Sequence, residues 1–142
     1  MTLVRRELLQ LAATAAVAGI AHAASAQTPG GPKLTQVLRK DLERQGHVVQ
    51  ESMVSVVEFG PGVAAPWHMH PGAQEIFYVM EGDAVVEMEG VGTTQLKTGE
   101  AYLIPADVPH LARNEGNVTA KALVVHSRSA KEKPLVVAVA RS

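Results

Sequence analysis

Gly62-Val63-Ala64-Ala65-Pro66-Trp67-His68-Met69-His70-Pro71-Gly72-Ala73-Gln74-Glu75, running on through Ile76-Phe77-Tyr78-Val79-Met80-Glu81 to Gly82, is the stretch around which the chain is organised. Side chains on extended backbone alternate faces, so His68 and His70 point the same way. Pro71-Gly72 predicts a turn. That turn brings Glu75, at the head of the next strand, back towards the two imidazoles. Two imidazoles and a carboxylate from one tight corner make half of a site for a divalent transition metal. Histidines beside a tryptophan can also be no more than partly buried polar residues, but three donors at this spacing favour the metal.

A second stretch supplies what the first lacks: Gly99-Glu100-Ala101-Tyr102-Leu103-Ile104-Pro105-Ala106-Asp107-Val108-Pro109-His110-Leu111-Ala112-Arg113-Asn114. An apolar strand ends at Pro105, a short turn follows, and His110 opens the next strand. At these residues the chain resembles the cupin family, whose two motifs read G-x5-H-x-H-x4-E-x6-G and G-x5-P-x-G-x2-H-x3-N. The first is matched at Gly62, His68, His70, Glu75 and Gly82, the second at Gly99, Pro105, His110 and Asn114. Asp107 stands where the pattern has glycine. Aspartate tolerates left-handed backbone better than most residues, so the turn is expected to survive, with a charge added near the mouth of the site. The resemblance spans Gly62 to Asn114, 53 of the 142 residues. It implies a double-stranded β-helix (jelly-roll) barrel in which His68, His70, Glu75 and His110 are the metal ligands. Asn114 is expected to close a loop by hydrogen bonds.

The chain is 142 residues long, enough for one domain and an added segment, and 46% of it is hydrophobic, enough for a core. It has no cysteine, which excludes disulfides, thiol catalysis and zinc–thiolate sites. Basic and acidic residues number 13 and 14, or 11 and 13 once Arg5, Arg6 and Glu7 are removed. Neither balance, nor any basic cluster, suggests a nucleic-acid surface. All the aromatic residues, Phe59, Trp67, Phe77, Tyr78 and Tyr102, lie in or beside the two motifs, where they suit core and pocket wall alike.

Residues 1–26 read as an export signal. Arg5-Arg6 precede an apolar run from Leu8 to about Ala21, and Ala24-Ser25-Ala26 offers a small-x-small cleavage site before Gln27. The run is short for a membrane span. Val4-Arg5-Arg6-Glu7-Leu8-Leu9-Gln10 resembles a twin-arginine signal, with a general secretory signal as the other reading. Cleavage leaves no stable membrane insertion and a periplasmic or secreted protein. Residues 27–33 are a linker and 34–142 the barrel domain.

Along the mature chain, Leu34, Val37, Leu38 and Leu42 have near-helical spacing, yet cupin-like chains often hold an edge strand here, and a strand over Thr35 to Arg39 is favoured. Val48 to Phe59 reads as a strand. Glu75 to Met80 is another, with Glu75, Phe77 and Val79 opposite Ile76, Tyr78 and Met80. Glu81-Gly82-Asp83 signals a hairpin, and Ala84 to Glu89 a strand with one wet face. Strands follow at Thr93 to Lys97 and Ala120 to His126, and Pro134 to Val139 is a last strand or extended tail. Short strands between Gly and Pro turns indicate an all-β barrel or sandwich. Exposed edges and apolar terminal segments favour a homodimer. His126, a lone histidine in a strand, is not counted as a ligand.

Three imidazoles and a carboxylate would leave open positions on Fe, Mn, Ni, Cu or Zn, a choice set by geometry and availability. Open positions can bind O2 with a chelating substrate, polarise a carbonyl or activate water. Glu75 could also act as the catalytic base. Gln74, Tyr78, Tyr102 and Arg113 are the candidates to orient an oxygen-rich substrate. Two functions stay open: a metal-dependent oxygenase or oxidoreductase acting on a small organic substrate, resembling quercetin-dioxygenase-like cupins, and a non-catalytic module that binds a metal or small ligand.

Overall fold

A computed structural model describes residues 30–41 and 49–141. The export signal, the start of the linker and the turn before His47 lie outside these. The described residues form ten strands and no helix: β1 (Lys33–Asp41), β2 (Glu51–Phe59), β3 (His68–Met69), β4 (Ala73–Glu81), β5 (Ala84–Met88), β6 (Gly92–Leu96), β7 (Ala101–Ile104), β8 (His110–Arg113), β9 (Ala120–Arg128) and β10 (Val137–Ala138). They make two five-stranded sheets, ordered β1-β2-β9-β4-β7 and β10-β3-β8-β5-β6, with every pairing antiparallel. This is the all-β architecture that the strand and turn signals predict.

Period-two burial builds the first sheet. Alternate residues of β2, β4 and β9 are buried, and the register stacks them into rungs across the inner face. From one end to the other these rungs read Glu51, Arg128 and Ala73; Met53, His126 and Glu75; Ser55, Val124 and Phe77; Val57, Ala122 and Val79. The apolar rungs pack with Val86, Met88, Leu96 and Ile104 of the facing strands into the core. Each large apolar side chain so buried contributes about 1.5–3 kcal/mol. The polar rungs remain at the other end, and the site forms there.

The strand favoured over Thr35 to Arg39 is present and longer, and three other local expectations are revised. Residues 33–41 are strand, and the helical spacing has a physical origin: β1 carries a bulge between Gln36 and Leu38, so an extra residue breaks strict alternation. β2 starts at Glu51, because residues 49–50 are not strand. Glu81-Gly82-Asp83 is no hairpin, since β4 and β5 belong to different sheets and the turn crosses between them. Nor is β5 wet on one face: Val85 is buried, and Glu87 is covered by ion pairs with Arg113 and Arg141.

Candidate metal centre

The turn after the His-x-His segment forms as predicted. Gly72 adopts a left-handed φ of 66° and the Ala73 amide donates to the His70 carbonyl at 3.1 Å. Asp107 also takes a left-handed φ, 64°, as the motif glycine would. Its carboxylate Oδ1 accepts from the Gly72 amide at 3.0 Å, and its own amide donates to the His70 carbonyl at 3.2 Å. The aspartate therefore ties the two motif loops together. Asn114 closes its loop as expected. It donates to the carbonyls of Phe59 (2.9 Å) and Val118 (2.7 Å) and accepts from the Gly116 amide (2.8 Å).

These loops bring His68, His70, Glu75 and His110 together. One donor atom from each lies within 4.8 Å of the others, and all but the half-buried His68 are buried. Backbone carbonyls orient the imidazoles: Nδ1 of His68 faces Pro66 O at 2.7 Å, that of His70 faces Leu135 O at 2.8 Å, and that of His110 faces Val108 O at 2.8 Å. A carbonyl only accepts, so each Nδ1 carries a proton and, in the neutral ring, each Nε2 presents a lone pair. Fixing the outer nitrogen in this way is what metal-binding imidazoles require.

Two observations show that the donor set suits a cation. His110 Nε2 is buried without a hydrogen-bond partner, and His70 Nε2 lies 2.6 Å from Glu75 Oε2. Two acceptors at that distance attract one another only with a proton or metal between them. Burial pushes the Glu75 carboxyl up, but contacts with His110, His126 and His70 outweigh it and hold the carboxylate well below its usual range. Burial pushes the His68 imidazole down to about 4 against the pull of the Pro66 carbonyl, and the neighbouring His110 and His70 add to the lowering.

His126, left out of the sequence-based ligand set, lies in the site. It is buried, with Nε2 3.0 Å from Glu75 Oε2 and 3.2 Å from His70 Nε2. Its place follows from register, as Glu75 and His126 are direct partners across β4 and β9. The motifs carry no trace of this pairing. The strand alternation of Ala120, Ala122, Val124 and His126 was the one available signal.

The cluster opens into a cavity of about 1110 Å³, whose wall includes Met53, Phe59, Phe77, Val124, Leu135 and Arg128. Small-molecule sites commonly span roughly 300–1,000 Å³. Arg128 is buried against Glu51 and donates to the Lys133 carbonyl at 2.8 Å. The residues expected to orient a substrate do not line this wall. Gln74 and Tyr78 are exposed on the opposite face of β4. Tyr102 packs against the core, and Arg113 is held by Glu115 at 2.7 Å and Glu87 at 2.9 Å. Side-chain type suggested them; strand parity turns Gln74, Tyr78 and Arg113 away, whereas Tyr102 shares the inner face with Phe77 and is taken up by the core.

Residues 55–126 match the cupin domain family Cupin_2. The chain belongs to the cupin family. Among its relatives, oxalate oxidase GF-2.8 of Triticum aestivum is 30% identical over 112 residues, which cover 74% of this chain and 49% of that protein. This cupin thus spans about half the length of the oxalate oxidases it matches. A solved oxalate oxidase in complex with the substrate analogue glycolate superposes with a TM-score of 0.62 at 27% identity, covering 79% of this chain and 57% of that one. The DMSP lyase DddQ from Ruegeria pomeroyi DSS-3 superposes with a TM-score of 0.55 at 31% identity, covering 62% and 43% respectively.

Proposed function

We propose that this cupin is an exported metal-dependent oxidoreductase of the oxygenase or oxidase kind, acting on a small oxygen-rich organic substrate. The observation that carries the reading is the convergence of three carbonyl-oriented imidazoles and the Glu75 carboxylate at the inner end of a cavity. His68, His70, Glu75 and His110 would hold a divalent transition metal drawn from Fe, Mn, Ni, Cu and Zn, and the likeness to oxalate oxidases favours a redox-active one. When bound, such an ion supplies Lewis acidity and, if redox-active, electron transfer to O2.

The chain's own residues do the remaining work. The apolar wall of Met53, Phe59, Phe77 and Val124 excludes water and accommodates a carbon skeleton, while the polar rung receives the oxygen atoms. Glu75, whose carboxylate lies among the imidazoles at the inner end of the cavity, is the candidate base. Export rests on residues 1–26; a twin-arginine route carries folded protein and would let the metal be chosen before zinc or copper outside could compete. The exposed edge strand β1 fits a homodimer, and light scattering should return twice the mature chain mass.

The test is oxygen uptake by protein loaded separately with Mn, Fe, Cu and Zn, offered oxalate, glycolate, phenols and diketones. Uptake that requires a redox-active metal supports the proposal. Tight ligand binding with no turnover under any metal returns the protein to the non-catalytic binding class. Conversion without oxygen uptake, equal with Zn and Mn, places it among non-redox lyases, the activity named for DddQ.

A further inference from the structure

Four imidazoles face the cluster, and their hydrogen bonds divide them into two kinds. His68, His70 and His110 spend Nδ1–H on backbone carbonyls and turn lone pairs inward. His126 has no such carbonyl, since its Nδ1 is buried and without a hydrogen-bond partner. Its Nε2 faces two acceptors, Glu75 Oε2 at 3.0 Å and the inward lone pair of His70 Nε2 at 3.2 Å. With the proton on Nδ1, a lone pair would face a carboxylate at close range and a buried N–H would be orphaned, both costly. With the proton on Nε2, the imidazole becomes a donor to Glu75. The second arrangement satisfies the contact and leaves only a lone pair unpaired.

Backbone register makes this contact hard to avoid. Glu75 and His126 are direct partners in the β4–β9 ladder, with Met53 of β2 on the other side of His126. A cross-strand pair brings Cβ atoms to about 4.5–5.5 Å, within reach of a glutamate and an imidazole on one face.

We propose that His126 is a positioning residue of the metal centre: it donates Nε2–H to Glu75 and fixes the orientation of the carboxylate, without being a ligand itself. The inference rests on the metal-binding reading above. It completes a pattern in which every candidate ligand is held from outside, His68, His70 and His110 by backbone carbonyls and Glu75 by an imidazole. Removing such an outer partner typically weakens metal binding about 10- to 100-fold.

The experiment compares Co(II) affinity by calorimetry and the visible Co(II) spectrum in wild type, His126→Leu and His126→Gln, with circular dichroism to establish folding. Leucine fills the space without a donor. The glutamine amide can place an N–H near the lost Nε2. The expected result is a roughly 10- to 100-fold loss of affinity in His126→Leu, recovered for the most part in His126→Gln, with the band positions of wild type kept in both. Equal affinity in all three proteins would reduce His126 to packing and overturn the proposal. Loss in both variants with shifted bands would make His126 a ligand and overturn it as well. Wild type that binds no Co(II) would remove the metal reading itself, a result distinct from either.

Discussion

At the scale of single residues, the centre is defined by which nitrogen of each ring is already occupied. His110 is the sharpest case. Its Nδ1 is taken by Val108 and its Nε2 is buried and unpaired, so an ion would supply the missing partner. His110→Ala should abolish near-stoichiometric metal occupancy measured by elemental analysis, while His47→Ala should leave it unchanged; full occupancy in the His110 variant would remove that residue from the ligand set. Asn114 is a different kind of motif residue. It is buried and makes three hydrogen bonds to backbone on both sides of a loop. Asn114→Ala strands two carbonyls and an amide, and at about 1 kcal/mol per net bond the loss should be about 2–4 kcal/mol in denaturant unfolding. A change below about 0.5 kcal/mol would show that water replaces the side chain.

At the scale of elements, the turn between β4 and β5 shows what a motif glycine does. Gly82 has a φ of 69°, and a Cβ there would meet the Thr119 carbonyl at 2.9 Å and Ala120 Cα at 3.0 Å. Both neighbours are backbone and cannot yield as a flexible side chain would. Gly82→Ala should therefore cost more than the roughly 1 kcal/mol of left-handed strain alone, lowering Tm, whereas Gly90→Ala meets open space and should cost only the strain. Equal losses in the two variants would show that the crossing is not tight. The same turn marks where reading the sequence stops. Glu81-Gly82-Asp83 states that the chain turns, but not that it leaves one sheet for the other, because that depends on partners far along the chain. His68, His70, Glu75 and His110 were legible because local spacing and two motifs set them on strand and turn. His126 was not, because its role comes from pairing with a strand about fifty residues away. The tail was legible only as extended. Its carbonyl at Leu135 orients His70, and Val139 donates to the Trp67 carbonyl at 3.2 Å, so β10 and its flanks brace the His68–His70 corner.

At the scale of the whole molecule, gathering four imidazoles and a carboxylate has a consequence for stability that can be worked out in sign. In metal-free protein, the His68 imidazole sits at about 4, below its ordinary 6.5, chiefly through burial. Between those values the unfolded chain binds a proton that the folded chain refuses, so stability falls as pH falls from about 6.5 towards 4. Glu75 acts in the same direction. Its folded carboxyl stays ionised well below the ordinary 4.5, so acidification through 4.5 favours the unfolded chain again. Chelator-treated protein should thus show a Tm that declines from pH 6.5 downward, with a dependence approaching one proton before Glu75 adds its share. His68→Ala should flatten the upper part of this decline and leave the lower part. A metal held by the same side chains binds only the folded state, so loading should raise Tm and shrink the gain as acid competes for the imidazoles. A metal-free Tm that is level or rising between pH 6.5 and 4 would mean that the cluster gives up its burial before it takes up protons, and the site would then not be preorganised for an ion.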